Sequence, residues 1–226
     1  MRLRATRLPG ARGERQGSTG HGSTLRLLAI GDSIIDGVGV QVIEESLSVQ
    51  FAGALAEFMQ QRVEWFVDGE SGLDIKGLMG RLETLEPAEE PDIILISIGV
   101  NDVTGLSSTK RWRRGVGRLL DRLQNNWPEA LFVFAGLPPM SRFPLPPQPL
   151  RFSLGMRAAT FDTIASRLVS ERNDAHHVPT LIDPLENDFC EDGFHPSAAS
   201  NQIWAKELVT AIAPHLNPGA PPSIPR

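Results

Sequence analysis

Two short apolar runs, each ended by a glycine turn, constrain the fold of this chain more than any other feature. The run within residues 25–30 ends at Gly31-Asp32-Ser33, and the run within residues 92–98 ends at Gly99-Val100-Asn101-Asp102. Runs of this length between turn residues are typical of strands buried on both faces of a parallel sheet. Both therefore predict central parallel strands, with the polar residues that follow them at the carboxyl edge of the sheet.

Strands and helices alternate along the rest of the chain. Further strands are predicted at residues 62–67, 130–135 and 177–182, and helices at 45–60, 74–85, 109–125, 153–171 and 197–213. The helices carry apolar stripes at helical spacing, for example Leu47, Phe51, Leu55 and Phe58 in the first and Ile203, Trp204, Leu208 and Ile212 in the last. Such stripes indicate faces packed on a sheet. The alternation predicts an α/β fold, a three-layer α/β/α sandwich around a five-stranded parallel sheet.

Length and composition favour one globular domain. The 226 residues are 41% hydrophobic, which suits a single full core. We expect this domain over residues 25–215, after a disordered basic arm at 1–24 and before a flexible tail at 216–226. Residues 1–26 hold six arginines and one acid although the net charge is −5. The body is therefore acidic, which disfavours binding to a phosphate backbone, so no nucleic-acid partner is predicted.

Other features exclude further classes. Cys190 is the single cysteine, so an intrachain disulfide is impossible. No apolar stretch approaches the ~18–20 residues of a membrane-spanning helix, and no signal peptide is recognisable, so we expect a cytoplasmic protein without an integral membrane segment. The arginines of residues 109–125 could form a phosphate-binding stripe, but without interleaved aromatic residues the pattern favours a solvated helix face. The sequence does not indicate an oligomeric state.

Five candidate site residues follow predicted strands. Ser33, Gly72 and Asn101 come after the first three strands, and Asp192 and His195 come after the last. In a parallel sheet these positions share one edge, where ligands of open α/β sheets bind. A serine there becomes a nucleophile if a base and an oxyanion site converge on it. We interpret His195 as the base, since imidazole titrates near neutral pH.

The remaining residues complete this hypothesis. Asp192, three residues before His195, would fix the tautomer and orientation of the imidazole. The backbone N–H groups of Ser33 and Gly72 and the side-chain amide of Asn101 would form the oxyanion hole. Gly72 lacks a side chain, so a substrate could approach its N–H closely. Neither a cofactor nor a metal is predicted.

At these positions the chain resembles the SGNH hydrolases, also called the GDSL esterase/lipase family. Gly31-Asp32-Ser33-Ile34 is similar to the nucleophile stretch of the family, and Glu70-Ser71-Gly72 to its glycine stretch. The G-x-N-D stretch is matched by residues 99–102, and the D-x-x-H-P stretch by residues 192–196. The resemblance implies a flavodoxin-like sheet, metal-free ester hydrolysis through an acyl-enzyme, and relaxed substrate choice. The resulting hypothesis is a serine esterase acting on small or short-chain esters.

Two alternatives stay open at this point. One is an acyltransferase that uses a sugar or alcohol acceptor in place of water, and the other is a non-catalytic flavodoxin-like binding module. Residues 138–150 form a proline-rich stretch, whose Phe143, Leu145 and Leu150 could line an acyl pocket or simply cover the core. Outside the site, we expect Asp32 to bond local backbone and Cys190 to be a small packed residue. His176 and His177 are predicted at the surface.

Overall fold

A computed structural model describes residues 8–85, 87, 89–180 and 188–216 of the protein. The described chain contains a six-stranded sheet in the order β1-β3-β2-β4-β5-β6. Its strands are β1 (Gln16–Thr19), β2 (Thr24–Gly31), β3 (Arg62–Gly69), β4 (Ile93–Ser97), β5 (Leu131–Ala135) and β6 (Ala175–Val178). The strands from β2 to β6 pair in parallel, and β1 pairs antiparallel with β3. The carboxyl ends of β2 to β6 therefore lie at the same edge of the sheet.

Helices cover both faces of this sheet. They are α1 (Ser33–Asp36), α2 (Leu47–Met59), α3 (Ile75–Arg81), α4 (Val100–Thr104), α5 (Thr109–Asn126), α6 (Leu150–Ser170) and α7 (Ala198–Ile212). Alternate residues of β2 enter two separate cores, Leu28 and Ile30 on one face and Leu27 and Ala29 on the other. The first core packs against α3, α5 and α6, and the second against α2 and α7. The predicted three-layer α/β/α sandwich is confirmed.

The close contact between β2 and β4 explains the glycine that ends the first apolar run. Gly31 lies opposite Ser97, and a Cβ atom on Gly31 would stand 1.9 Å from the carbonyl oxygen of Ser97. Only glycine fits here without moving a strand. The next backbone N–H, that of Asp32, donates to the same carbonyl oxygen at 3.1 Å. The turn that carries Ser33 is thereby fixed to the central strand of the sheet.

The five predicted parallel strands and five longer helices are confirmed, but the predicted disorder of residues 1–24 is wrong for part of that stretch. Residues 16–19 form β1, which pairs with residues 63–66 of β3 and extends the sheet from five strands to six. Arg15 also donates to the backbone of Asp36 and forms an ion pair with its carboxylate at 2.7 Å. Residues 1–7 and 217–226 lie outside the described residues, as do 181 and 182 of the predicted last strand.

Two residues of the predicted apolar stripes point outward. Phe58 is 40% exposed, and Met59 occupies the buried position beside it. Ile203 is 50% exposed, whereas Trp204, Leu208 and Ile212 are buried as predicted. Both exceptions lie at the margin of a helical stripe, where a shift of one position turns a side chain by about 100°. None of the helices in the described ranges is long and apolar enough to cross a membrane.

Candidate active site

Ser33 lies where the end of β2 meets the sheet edge. It is the first residue of α1, and Asp32 caps this helix by accepting the N–H of Ile34 at 3.2 Å. The Oγ atom of Ser33 lies 2.9 Å from Nε2 of His195, a residue 162 positions later in the chain. The structure thus brings together the predicted nucleophile and the predicted base.

The His195 imidazole is held from its other side by Asp192. Its Nδ1 atom lies 2.6 Å from Oδ2 of Asp192, whose side chain is 2% exposed. An ionised carboxylate only accepts hydrogen bonds, so the Nδ1–H donates to Asp192 and Nε2 accepts the Ser33 hydroxyl proton. This is the tautomer that a general base at Ser33 requires. The three side chains fit a catalytic triad.

Local backbone bonds explain why Asp192 and His195 share one tight turn. The Oδ1 atom of Asp192 accepts the N–H groups of Phe194 and His195 at 2.9 and 3.0 Å. Gly193 has a φ of 61°, a conformation that glycine adopts without steric cost. The carbonyl of His195 accepts the N–H of Cys190 at 2.8 Å and closes the turn. The aspartate therefore orients both the loop and the imidazole.

The first two polar residues of α4 bind the segment that follows Gly72. The side-chain amide of Asn101 donates to the carbonyl of Leu73 at 2.9 Å, and Oδ2 of Asp102 accepts the N–H of Ile75 at 2.8 Å. Gly72 has a φ of 91°, and a Cβ atom there would meet nothing within 4 Å. Asn101 and Gly72 were predicted as site residues, whereas the bond from Ile75 to Asp102 joins residues 27 positions apart and no local sequence pattern indicates it.

Two buried carboxyl groups flank the site without belonging to the triad. Asp32 is 1% exposed, bonds the local backbone as predicted, and has no hydrogen-bond partner for its buried Oδ2. Burial raises the pKa of Asp32 to about 7, helped by the nearby charge of Asp102 and opposed by the Ile34 N–H. Burial also raises the pKa of Asp102, against the hydrogen bond from Ile75. A proton on Asp32 avoids an uncompensated charge beside the nucleophile.

A small cavity of about 50 Å³ adjoins Ser33 and His195. Its lining is mainly apolar and includes Ile34, Val100, Pro138, Pro139, Phe143, Phe189, Phe194 and Trp204. Phe143 is 3% exposed and packs edge-on against Phe189 and Phe194, each with ring centroids 5.1 Å apart. Of the three proline-rich candidates, Phe143 lines the cavity, Leu145 is half-buried beside Gly193, and Leu150 is 38% exposed.

The structure corrects the prediction for one histidine. The side chain of His177 is 6% exposed, not superficial, and its Nε2 lies 2.8 Å from Oδ1 of Asp162. The same oxygen accepts the N–H of Leu137, which follows β5. Asp162 of α6 therefore bonds both His177 of β6 and a residue after the end of β5. His176 is half-buried and stacks on His215 at 3.6 Å between ring centroids; burial, and then the charge of His215, lowers its pKa.

Cys190 is a packed residue, as the sequence suggests. Its Sγ lies 3.3 Å from the carbonyl oxygens of Gly39 and Pro196, to which the thiol can donate. Burial raises its pKa to about 11, with further contributions from the charges of Asp192 and Glu191. The thiol is therefore a poor nucleophile at neutral pH. Within the described residues, no three His, Cys, Asp or Glu side chains form a group that could hold a metal ion.

A serine hydroxyl, an imidazole and a buried carboxylate in one hydrogen-bonded row at the edge of an α/β sheet define a serine hydrolase. The family model of the GDSL-like lipase/acylhydrolase family matches residues 29–203, which include every residue of the row. The chain belongs to this family and is a carboxylic ester hydrolase. A search of curated proteins found no match.

Solved structures with the same fold include several esterases. A family 3 carbohydrate esterase from Clostridium thermocellum has a TM-score of 0.69 at 16% identity, with 85% of this chain and 96% of that chain covered. The psychrotrophic esterase EstA from Pseudoalteromonas sp. has a TM-score of 0.66 at 20% identity, with 85% and 98% covered. A Corynascus thermopiles family 2 carbohydrate esterase with a carbohydrate-binding domain has a TM-score of 0.64 at 20% identity, with 84% of this chain and 66% of that chain covered.

The raised pKa of Asp32 makes stability depend on pH. The folded protein binds the Asp32 proton up to about pH 7, whereas the unfolded chain releases it near 3.8. Folding is therefore favoured by this group below about pH 4, and that advantage is lost as the pH rises through 7. Three pKa units correspond to about 4 kcal/mol of unfolding free energy as an upper value. Asp32→Asn, which resembles the protonated acid, should remove this loss.

Urea unfolding of wild type and Asp32→Asn at pH 5 and pH 8.5 measures the effect. From pH 5 to pH 8.5, the free energy of unfolding of wild type should fall relative to that of Asp32→Asn. Glu57→Gln, at an exposed position of α2, is the matched control and should leave the pH dependence of wild type unchanged. An equal loss of stability in wild type and Asp32→Asn would contradict the assignment of the proton to Asp32.

Proposed function

We propose that this protein hydrolyses small, short-chain carboxylic esters through an acyl-enzyme formed on Ser33. The observation that carries the proposal is the continuous row from Ser33 Oγ to His195 Nε2 at 2.9 Å and from His195 Nδ1 to Asp192 at 2.6 Å. Membership in the acylhydrolase family supports the same chemistry. The substrate class is inferred from the cavity beside the triad.

The first half of the reaction transfers the acyl group to the protein. Ser33 Oγ attacks the ester carbonyl carbon while His195 Nε2 takes the hydroxyl proton. The carbonyl π electrons move to oxygen, and the imidazolium is stabilised by the carboxylate of Asp192. Collapse of the tetrahedral intermediate breaks the bond to the alcohol oxygen. His195 returns its proton to that oxygen, so the alcohol leaves neutral.

In the second half of the reaction, water hydrolyses the acyl-enzyme, and His195 again transfers the protons. His195 Nε2 accepts a proton from water as the water oxygen attacks the acyl carbon. When this second intermediate collapses, the bond to Ser33 Oγ breaks and the imidazolium reprotonates the serine. The carboxylic acid is released and then ionises. Every proton moves through the single nitrogen atom that faces Ser33.

Three donors are proposed for the oxyanion: the backbone N–H groups of Ser33 and Gly72 and the amide of Asn101. One hydrogen of the Asn101 amide is used by the carbonyl of Leu73, which leaves the second for the substrate. Two hydrogen bonds fix the chain that follows Gly72: the N–H of Ile75 donates to Asp102, and the amide of Asn101 donates to the carbonyl of Leu73. Donors fixed before the substrate arrives need no reorganisation in the transition state.

The cavity favours a short acyl chain. Its volume of about 50 Å³ and its aromatic walls leave little room beside Ser33. Phe143 packs against Phe189 and Phe194, so it forms a wall of the cavity whose position is fixed by ring contacts. Two of the solved structures with this fold are carbohydrate esterases, which supports esters of a carbohydrate alcohol as one substrate class to test.

A series of nitrophenyl esters tests the acyl preference. We expect kcat/KM to be highest for acetate and to fall with each added pair of methylenes, because the cavity beside Ser33 is small. Phe143→Leu should shift the preference towards longer chains while keeping the site apolar. Ser33→Ala is the control and should abolish hydrolysis of every ester. A preference for long chains in wild type would contradict the substrate class, and full activity in Ser33→Ala would contradict the mechanism.

Replacement of Asn101 tests the oxyanion hole. Asn101→Ala removes one donor and should lower kcat on the order of 10²–10³, with a much smaller change in KM. Thr104→Ala, on the same short helix, removes a hydroxyl that bonds only to backbone carbonyls and should leave kcat unchanged. Steady-state kinetics on nitrophenyl acetate measures both variants. An unchanged kcat in Asn101→Ala would exclude the amide as an oxyanion donor.

A further inference from the structure

The exposed apolar side chains of this protein are unevenly distributed. Leu106 is 69% exposed, Phe152 is 62% exposed and Met156 is 59% exposed, the three highest values among the large apolar residues of the described chain. Leu106 lies between α4 and α5, and Phe152 and Met156 lie one turn apart on α6. We call these three residues the apolar ridge. Isolated exposed apolar residues are ordinary, but a group at one place marks an interaction surface.

Hydrogen bonds from a single arginine hold α6 beside the loop that carries Leu106. The Arg157 guanidinium donates to the carbonyl of Ser107 at 2.8 Å and to that of Val103 at 3.3 Å. These carbonyls lie on either side of Leu106 in the chain, and Arg157 directly follows Met156. The first turns of α6 are therefore fixed against the loop that carries Leu106.

The backbone of Leu106 adds a second observation. Its φ is 59°, a left-handed conformation that is unfavourable for leucine. The N–H of Leu106 donates to the carbonyl of Val103 at 3.3 Å, which closes the turn after α4. The turn thus presents a large apolar side chain to solvent at a position where glycine or asparagine would be favoured.

The ridge lies at the edge of the sheet that carries the active site. The loop with Leu106 follows α4, the helix that begins with Val100 and Asn101, and α6 follows the proline-rich segment that lines the cavity. Both elements leave the carboxyl ends of β4 and β5. A surface bound to the ridge would therefore face the same end of the molecule as Ser33.

Two exposed cations follow the loop that carries Leu106. Lys110 and Arg113 lie in the first turns of α5, three and six residues after Ser107, whose carbonyl accepts the Arg157 guanidinium. Arg111 forms an ion pair with Asp74, whereas neither Lys110 nor Arg113 has a hydrogen-bond or ion-pair partner in the part of the chain that the structure describes. We call them the cationic row. They stand out on a protein whose net charge is −5.

We propose that the apolar ridge and the cationic row together form a docking surface for an anionic lipid layer. Exposed apolar side chains can insert between acyl chains, while adjacent cations meet the anionic head groups. Two copies of this chain would place like charges together, which disfavours self-association through this face. The proposal goes beyond ester hydrolysis and does not depend on it.

Sedimentation with lipid vesicles tests this surface. Wild type should bind vesicles that contain phosphatidylglycerol and bind phosphatidylcholine vesicles much more weakly. Lys110→Gln combined with Arg113→Gln should weaken binding to the anionic vesicles roughly thirtyfold. The triple variant Leu106→Ser, Phe152→Ser and Met156→Ser should also lose binding. All five side chains are exposed, so both variants should keep the wild-type melting temperature.

The matched control uses exposed apolar residues of the opposite helical layer. Phe58→Ser combined with Ile203→Ser changes α2 and α7 and should bind vesicles as wild type does. Ser33→Ala should also bind normally, so a failure of the proposed reaction would not affect this result. Three outcomes would overturn the docking surface: no binding of wild type to anionic vesicles, equal binding to phosphatidylcholine vesicles, or full binding by the ridge variant.

Discussion

The parallel pairing of β2 with β3 and β4 is the constraint on which the rest of the structure depends. It brings the carboxyl ends of these strands to one edge, where the turns that carry Ser33, Gly72 and Asn101 begin. The Asp32 N–H bond to Ser97 and the close approach of Gly31 to the same residue fix the nucleophile turn to the central strand. The proposed base, His195, comes from a loop far along the chain, and its Nε2 lies 2.9 Å from Ser33 Oγ.

Carboxylates that accept backbone N–H groups hold the loops around that edge. Asp32 accepts the N–H of Ile34 next to Ser33, and Asp102 accepts the N–H of Ile75 in the segment after Gly72. Asp192 accepts the N–H groups of Phe194 and His195 in its own turn. Of the three, Asp192 also bonds the imidazole of His195, the proposed base. The other two are buried, with raised pKa values whose main cause is that burial. Loop geometry at this site is therefore linked to protonation at positions that do not take part in the proposed reaction.

The pattern of apolar residues along the sequence explains how much of the fold was predictable. The strands at the centre of the sheet are continuous apolar runs, so their position and parallel pairing follow from sequence alone. The polar strand β1 was missed because Gln16–Thr19 has no apolar pattern, and its pairing with β3 arises from contacts far along the chain. The burial of His177 depends on Asp162 of another helix, which no local pattern reveals. The triad was predictable because its residue types and strand-end positions coincide, whereas the role of Asp102 in the glycine loop required coordinates.

The central claim is that Ser33 carries the acyl group during turnover. Mass spectrometry of the protein, quenched during hydrolysis of nitrophenyl acetate and digested to peptides, tests it most directly. The account predicts a single added acetyl group on the peptide that contains Ser33, at a level that falls once substrate is exhausted. Ester hydrolysis with no such adduct, or with the acetyl group on another residue, would contradict it.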